Sequence, residues 1–545
     1  MTTTTMPRHE VTNVDVGAPA SSDGGWSAAV TALARAGVTD VYGLPDDDMR
    51  AMAALETAGL RLHRTVRQAS AMHMAAGHAA VAGGVGACVI GRGPAVAAAV
   101  PGLLEIWDAG RPLVVLAAGT ATRLRGTGAF QDAPTLEMVT PVTKRALRVE
   151  DPAEAGRVVA AAVELAQTAP AGPVYVELPD PDPTPGTAER PAFRRTDLTG
   201  LQAALQEAER PLLLLGSGAR SCAQTSLVGL AADLGAGVLV TASGRGSFPE
   251  DHPAFLGLSG LYLMPEVAEA VREADTVLAV GSRLEETALA GMPTGASTRW
   301  LQVNLASEHL VPRLAGLGVV ADVAEVAALR PASGASAAWA EQLCQARAKA
   351  FEALQREVDS RAAQVLLHLT EALPAGSVTV HENGLHDIWS YSFPHLQLPQ
   401  GGTSLALSEQ TTLGGSVAAA AGAARAGAPL TVCLTGDTAM STLLPDLQAV
   451  LGEPLPLLYV VFDDGGMGWL DREAQEAGVA QRFVTTPALP RWTAGHAVVV
   501  ADDVRLLGPA TVMAVERALA GRPTVMWVPV DDWDIAPQLR TQEAL

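Results

Sequence analysis

From Trp26 onward the chain alternates between two kinds of segment. Short, continuous apolar runs end in turns rich in Gly, Pro or Asp, and longer Ala-rich stretches lie between them. In the first part the apolar runs 39–42, 62–66, 87–91, 112–117, 143–149 and 174–178 predict strands. The stretches 26–36, 48–58, 69–81, 95–107 and 154–167 predict helices. Apolar strands joined by helical crossovers imply parallel neighbours buried on both faces. Such crossovers are right-handed, so all strands of a sheet end at one edge, which is where open α/β sheets bind ligands.

The pattern repeats in two further blocks. Residues 179–191 are Pro-rich and polar and read as a linker. The second block has strands at 211–216, 237–241, 276–280 and 298–303 and a helix at 221–234, and it closes on small residues at 331–335. One long helix, 337–360, leads into the third block, which has strands at 377–380, 431–434, 455–462, 492–502 and 523–530 and helices at 414–425 and 441–451. The expected fold class is therefore α/β, with three doubly wound parallel-sheet domains, the outer two similar in order. The expected division is a flexible leader 1–25, a first domain 26–180, a linker 181–200, a middle domain 201–335, a connecting helix 336–360 and a third domain 361–545.

The stretch 431–468 carries the chemistry. Its first strand ends at Gly436-Asp437 and its second at Asp463-Asp464-Gly465-Gly466, so Asp437 and Asp464 stand 27 positions apart at one expected sheet edge. Two carboxylates beside Gly-rich turns suit a hard divalent cation, and exposed backbone N–H groups suit a phosphate. Taken alone, the same residues also read as two exposed aspartates capping a helix and a turn.

Composition narrows the function classes. Charged residues are 17% of 545 and hydrophobic residues 48%, a globular balance too long for one core. The formal net charge of −21, with no basic stripe, argues against unassisted binding of nucleic acid or anionic membranes. A metal ion can still invert the local field for an anionic cofactor. The four scattered cysteines, Cys88, Cys222, Cys344 and Cys433, form no metal or disulfide pattern and fit a reducing cytoplasm. No charge-free apolar stretch of about 18 residues reads as a membrane span.

Several motifs occur in a fixed order. They are Gly37-Val38 through Gly43-Leu44-Pro45, the helix Ala71-Met72-His73-Met74-Ala75-Ala76-Gly77-His78-Ala79, Gly93-Pro94, Phe130-Gln131-Asp132, Pro141 to Lys144, and Gly172-Pro173-Val174. Then follow Asp251-His252-Pro253, Ala274-Asp275, Val280-Gly281-Ser282-Arg283, His386-Asp387-Ile388-Trp389, Leu413-Gly414 and the aspartate pair. In this set the chain resembles the thiamine diphosphate-dependent decarboxylase and carboligase superfamily, closest to its acetolactate synthase and benzoylformate decarboxylase branch, over residues 26 to 535.

The resemblance implies pyrimidine-binding, middle and diphosphate-binding domains, a small 2-oxo acid substrate, and decarboxylation or carboligation. It also implies sites shared between subunits of a homodimer or homotetramer. Mg²⁺ would be held by Asp437, Asp464 and the Gly466 carbonyl. Gly384, Leu385 and His386 match the turn on the diphosphate, beside Gly436, Asp437, Thr438 and Ala439. Leu413 matches the large apolar residue under the cofactor, and Gln131 a residue near the substrate.

Three positions depart from the family pattern. Thr438 stands where a glycine is usual, and a positive φ there would strain it. Asp464 replaces an asparagine and adds charge beside a diphosphate. Gln68 occupies the place of the activating glutamate, which hydrogen-bonds N1′ of the aminopyrimidine. A glutamine hydrogen-bonds but exchanges no proton at neutral pH. His381 and Glu382, at a strand end, are substitute acid–base candidates, whereas His73, His78 and Lys144 read as structural. The flavin stretches of the acetolactate synthases are poorly matched, Gly257-Leu258-Ser259-Gly260 lacking the usual histidine, so FAD is the weaker expectation. Two alternatives to an active enzyme stay open: a non-catalytic paralogue serving as a partner subunit, or a site repurposed for different chemistry.

Overall fold

The structure, a computed structural model, describes residues 23–43, 49–65, 67–180, 193–295, 297–331, 333–356, 360–406, 411–479, 497–500, 503–530 and 536–538. Most of the leader, the turn at 44–48, the greater part of the linker and all but 497–500 of the strand expected at 492–502 lie outside the described residues.

Three sheets form, and every strand pairing in them is parallel. The first has β1 (Asp40–Gly43), β2 (Arg61–Arg64), β3 (Gly86–Ile90), β4 (Leu113–Gly119), β5 (Arg145–Arg148) and β6 (Pro173–Pro179), in the order β2-β1-β3-β4-β6-β5. The second has β7 (Phe193–Arg195), β8 (Pro211–Leu215), β9 (Gly237–Val240), β10 (Phe255–Leu258), β11 (Thr276–Val280), β12 (Arg299–Asn304) and β13 (Gly316–Val320), in the order β10-β9-β8-β11-β12-β13-β7. The third has β14 (Val378–His381), β15 (Thr403–Ala406), β16 (Thr431–Gly436), β17 (Leu457–Asp463), β18 (Ala497–Val500) and β19 (Thr524–Pro529), in the order β15-β14-β16-β17-β19-β18. The first and third sheets thus share one strand order, as their similar motif order implied.

The central strands explain why the sheets are parallel. All seven residues of β4 are buried, as are the first six of β17, so neither strand has a polar face to offer water. Helices cover both faces. In the third domain Val417, Ala420, Ala421 and Ala424 of the helix Gly415–Arg425 pack on Cys433, Tyr459 and Val461. The small alanines let the helix lie close to the sheet.

The chain forms two compact units. One holds the first sheet, together with residues 411–412 and 469–479; the other holds the second and third sheets.

Among the differences from the sequence reading, three bear on the domain boundaries and on the stretch that carries the chemistry. The helix expected over 337–360 spans Ala337–Ala353 and ends in a single 3₁₀ turn, Leu354–Arg356. Ser360 is not its last residue but the N-cap of a further helix, Arg361–Ala372, where its hydroxyl accepts from the Ala363 N–H. Residues 193–206, at the end of the stretch read as linker, carry β7 and the helix Leu198–Gln206. The helix expected from 441 starts instead at Asp437 and breaks at Leu443, giving Asp437–Thr442 and Leu444–Leu451.

Candidate functional site

In the third sheet the chain leaves β14 toward β15 on one side, then returns to add β16 on the other. The crevice outside β14 and β16 is therefore the topological switch point, where doubly wound sheets take ligands. Two loops meet there. Glu382-Asn383-Gly384 follows β14 and opens the helix Leu385–Tyr391, and Gly436 ends β16 and opens the helix Asp437–Thr442. Gly384 has φ 150°, and a Cβ there would stand 2.7 Å from the His386 ring. A Cβ on Gly436 would lie 3.4 Å from the same ring, so both glycines admit His386 to the crevice.

β16 and β17 run in register up to the pair Gly436 and Phe462, which sets Asp437 just beyond the last paired position, level with Asp463. Asp437 is buried. The Thr438 hydroxyl donates to the Gly466 carbonyl oxygen at 2.8 Å, tying the turn after β16 to the turn after β17. Thr438 takes no positive φ, so the strain expected of a β-branched residue there does not arise. Asp464 folds over its own turn and accepts from the N–H groups of Gly466 at 3.1 Å and Gly468 at 3.2 Å. Asp463 points elsewhere, accepting from the Trp527 indole at 2.6 Å and the Gly465 N–H at 3.0 Å.

Buried titratable groups surround the crevice. Glu382 is almost fully buried; one oxygen accepts from the Ser416 N–H at 3.0 Å and the other carries no hydrogen bond. Burial pushes its carboxyl up to about 7 against the pull of backbone N–H groups at the start of the helix Gly415–Arg425. Asp387, buried beside it, is raised well above the usual carboxylate range by desolvation and by Glu382. His386 stacks on Phe462 with 5.8 Å between ring centroids, and its buried Nε2 has no hydrogen-bond partner. Burial brings its imidazole down to about 4, so it is neutral at pH 7. His381 is held neutral more strongly and is absorbed in structure, between Ser390 Oγ at 2.7 Å and Thr379 Oγ1 at 3.1 Å. Ala439 is buried in the short helix, and Leu413 is half-buried immediately before Gly414.

Among the described residues no three His, Cys, Asp or Glu side chains are arranged to hold a metal ion. The oxygen atoms that would be offered to a cation here are the carboxylates of Asp437 and Asp464 and the Gly466 carbonyl. Each oxygen has more than one lone pair, so the bonds to Thr438 and to the Gly466 and Gly468 N–H groups leave acceptor capacity. The donors are all oxygen, which suits Mg²⁺. The unpartnered nitrogen of neutral His386 and the Gly436 turn beside it suit the phosphate end of an anionic cofactor. The residues fit the group.

Gln68 and Gln131 belong to the other unit, at the carboxyl edge of its sheet. Gln68 is half-buried and is the first residue of the helix Gln68–Ala82, entered from β2. Gln131 has φ 58° and presses its carbonyl against Gly93, where no Cβ could stand. His78 Nδ1 lies 2.9 Å from the Tyr42 hydroxyl, a structural contact, whereas His73 lies on the exposed face of the helix. Lys144 donates to the carbonyls of Leu165 at 2.5 Å and Thr168 at 2.6 Å, tying down the end of the helix Ala155–Gln167. Sequence reasoning missed the Thr438 to Gly466 bond and the burial of Asp387. The only available signal was a hydroxyl residue directly after Asp437.

Three thiamine pyrophosphate enzyme family models match in order: the N-terminal TPP binding domain over residues 25–138, the central domain over 198–329 and the C-terminal TPP binding domain over 382–518. The chain is 28% identical to the acetolactate synthase large subunit of Parasynechococcus marenigrum, over 88% of this chain and 82% of that protein. It is 26% identical to the acetolactate synthase isozyme 2 large subunit of Escherichia coli, over 84% of this chain and 86% of that protein. A probable acetolactate synthase large subunit of Methanocaldococcus jannaschii is 31% identical, but the match spans only 48% of this chain and 47% of that protein.

Proposed function

The chain belongs to the thiamine pyrophosphate-dependent enzyme superfamily, in its acetolactate synthase branch, and on that premise we propose that it binds thiamine diphosphate with Mg²⁺ and acts on a small 2-oxo acid by decarboxylation or carboligation. The observation that carries the reading is the Thr438 to Gly466 bond, which joins the two Asp-bearing turns at the switch point of the third sheet. Asp437, Asp464 and the Gly466 carbonyl hold Mg²⁺, and Gly384, Leu385, His386, Gly436, Thr438 and Ala439 receive the diphosphate. When bound, the cofactor supplies the carbanion chemistry. Neutral His386 accepts or donates a hydrogen bond there without adding charge. Leu413 supplies an apolar wall, and Gln131 orients the substrate. Gln68 hydrogen-bonds the pyrimidine without exchanging a proton, so activation is non-standard.

The protein works as a homo-oligomer of two or four chains in the cytoplasm. In support, Met74 and Val81 of the helix Gln68–Ala82 and Leu104 of the adjacent helix Pro94–Asp108 are exposed, Val81 at 92%. Among the described residues no helix is long and apolar enough to cross a membrane.

Gln68 also favours a second reading, a chain of this fold kept as a non-catalytic partner subunit. One experiment separates the two. Protein stripped of ligands is given thiamine diphosphate and Mg²⁺, and melting temperature and bound mass are measured; pyruvate is then added and CO₂ is followed. Binding with turnover supports the enzyme, binding without turnover supports the partner subunit, and absence of binding removes the first reading.

A further inference from the structure

The branch to which this chain belongs raises the question of a flavin in the middle domain. The order of the second sheet places its switch point between β8 and β11, where a dinucleotide would lie across the carboxyl ends of the strands. The loops leaving those strands close on each other instead. The Gly218 N–H donates to the Gly281 carbonyl at 2.9 Å. A Cβ on Gly216 would stand 2.5 Å from Ser282 Cα, and one on Gly218 would stand 2.9 Å from Gly281 Cα. On the β9 side, a Cβ on Gly244 would stand 3.0 Å from Gly216 Cα. These glycines resemble a phosphate-binding turn in sequence, but the space their missing side chains leave is filled by neighbouring backbone. The polar groups also turn inward: Asn304 Nδ2 donates to the Ser282 carbonyl at 3.0 Å, and Ser282 Oγ accepts from the Leu284 N–H at 3.0 Å.

Beyond the loops, the same edge meets the third domain. Arg245, with 0% exposure, pairs with Glu250 at 2.8 Å and donates to the carbonyls of Ser390 at 2.7 Å and Leu396 at 2.5 Å. Arg220 bridges the carbonyls of Arg245 and Ser404. The Tyr262 ring packs on Tyr391 with 4.5 Å between centroids. A guanidinium that has lost all water needs each of these partners, so Arg245 specifies one docked arrangement. We infer that the switch-point edge of the middle sheet is a joint that docks the third domain, not a dinucleotide site, and that the middle domain carries no flavin. Docking through Arg245 on the Ser390 carbonyl and through the Tyr262 ring on Tyr391 then holds the far end of the helix Leu385–Tyr391, which begins at the crevice of the third sheet.

The test does not depend on thiamine diphosphate binding. The full chain is purified without added cofactor, its visible spectrum and intact mass are recorded, and FAD is titrated while its fluorescence is followed. No flavin in the spectrum and no saturable quenching are expected; one flavin per chain, retained or taken up saturably, overturns the inference. For the joint, hydrogen exchange by mass spectrometry compares the wild type with Arg245→Met and with the milder Arg245→Lys, which keeps a positive charge opposite Glu250. Exchange roughly five- to tenfold faster in both 241–250 and 385–398 is expected from losing a buried hydrogen bond. In Arg245→Lys, acceleration confined to the middle domain overturns it.

Discussion

Thr438 and Gly466, 28 residues apart in the chain, are joined by a hydrogen bond of 2.8 Å from hydroxyl to carbonyl. The bond holds the Gly466 oxygen beside the turn that presents Asp437. A β-branched side chain has few rotamers, so the donor is fixed as well as present.

The first prediction follows directly. Thr438→Val keeps shape and removes the donor, and it weakens Mg²⁺ binding by about three- to tenfold, the range for one lost hydrogen bond. Thr438→Ser restores most of the affinity. Metal titration of the apo protein by calorimetry measures both, and equal affinity in Val and Thr forms refutes the role.

Gln68→Glu tests activation. The position opens a helix, where a carboxylate meets the positive end of the dipole, so the variant folds with no loss of stability. With an acid–base group restored, turnover of a 2-oxo acid rises by about 10²-fold or more. Unchanged turnover means that proton exchange at this position is not what limits the native protein.

Asp464→Asn separates charge from capping. Removing a negative charge beside the diphosphate is predicted to tighten thiamine diphosphate binding several-fold at fixed Mg²⁺. Asn has a single acceptor oxygen, so one of the bonds from Gly466 and Gly468 is lost and the apo protein loses about 1 kcal/mol. Calorimetric affinity and apo melting temperature should move in opposite directions; movement in the same direction counts against the assignment.

Glu382 sets a pH dependence. Its folded-state carboxyl titrates at about 7 against a reference of 4.5, so between those values the folded state holds a proton that the unfolded state has released. Stability therefore falls as pH rises from about 4.5 to 7, by up to about 3 kcal/mol at 1.36 kcal/mol per unit. Asp387 is shifted in the same direction. Glu382→Gln removes the Glu382 part, so its melting temperature should decline less between pH 5 and 8 than that of the wild type. Parallel curves would show that burial of Glu382 does not govern this window.

Much of this was legible in the chain because burial leaves a direct mark on sequence. A strand covered on both faces must be apolar throughout, and 112–117 and 455–462 were readable as strands for that reason. β7, β10, β13 and β15 are absent from the sequence reading; they lie at or next to the sheet edges and leave weaker marks: Gly316–Val320 opens on two half-buried residues and holds two glycines, Phe255–Leu258 is a four-residue run interrupted by Gly257, Phe193–Arg195 ends in two arginines, and Thr403–Ala406 opens on Thr-Ser. The helix from Asp437 was placed four residues late because Thr438, Ala439 and Ser441 carry no periodic apolar signal; the turn geometry at Gly436 starts it. Ser360 shows a local ambiguity, since the same residue can end one helix or cap the next, and only the Ala363 N–H on its hydroxyl decides.

The sequence by itself determined the three parallel α/β sheets, the shared order of the outer two, the Asp437 and Asp464 turns and the glutamine at position 68, because these depend on composition and spacing along the chain. Only the tertiary structure decided that Thr438 bonds Gly466, that Glu382 and Asp387 are buried side by side, and that the glycines after β8 and β11 close on each other. Those contacts join segments 28 to 65 residues apart or depend on desolvation, and neither pairing across loops nor loss of water is encoded at any single position.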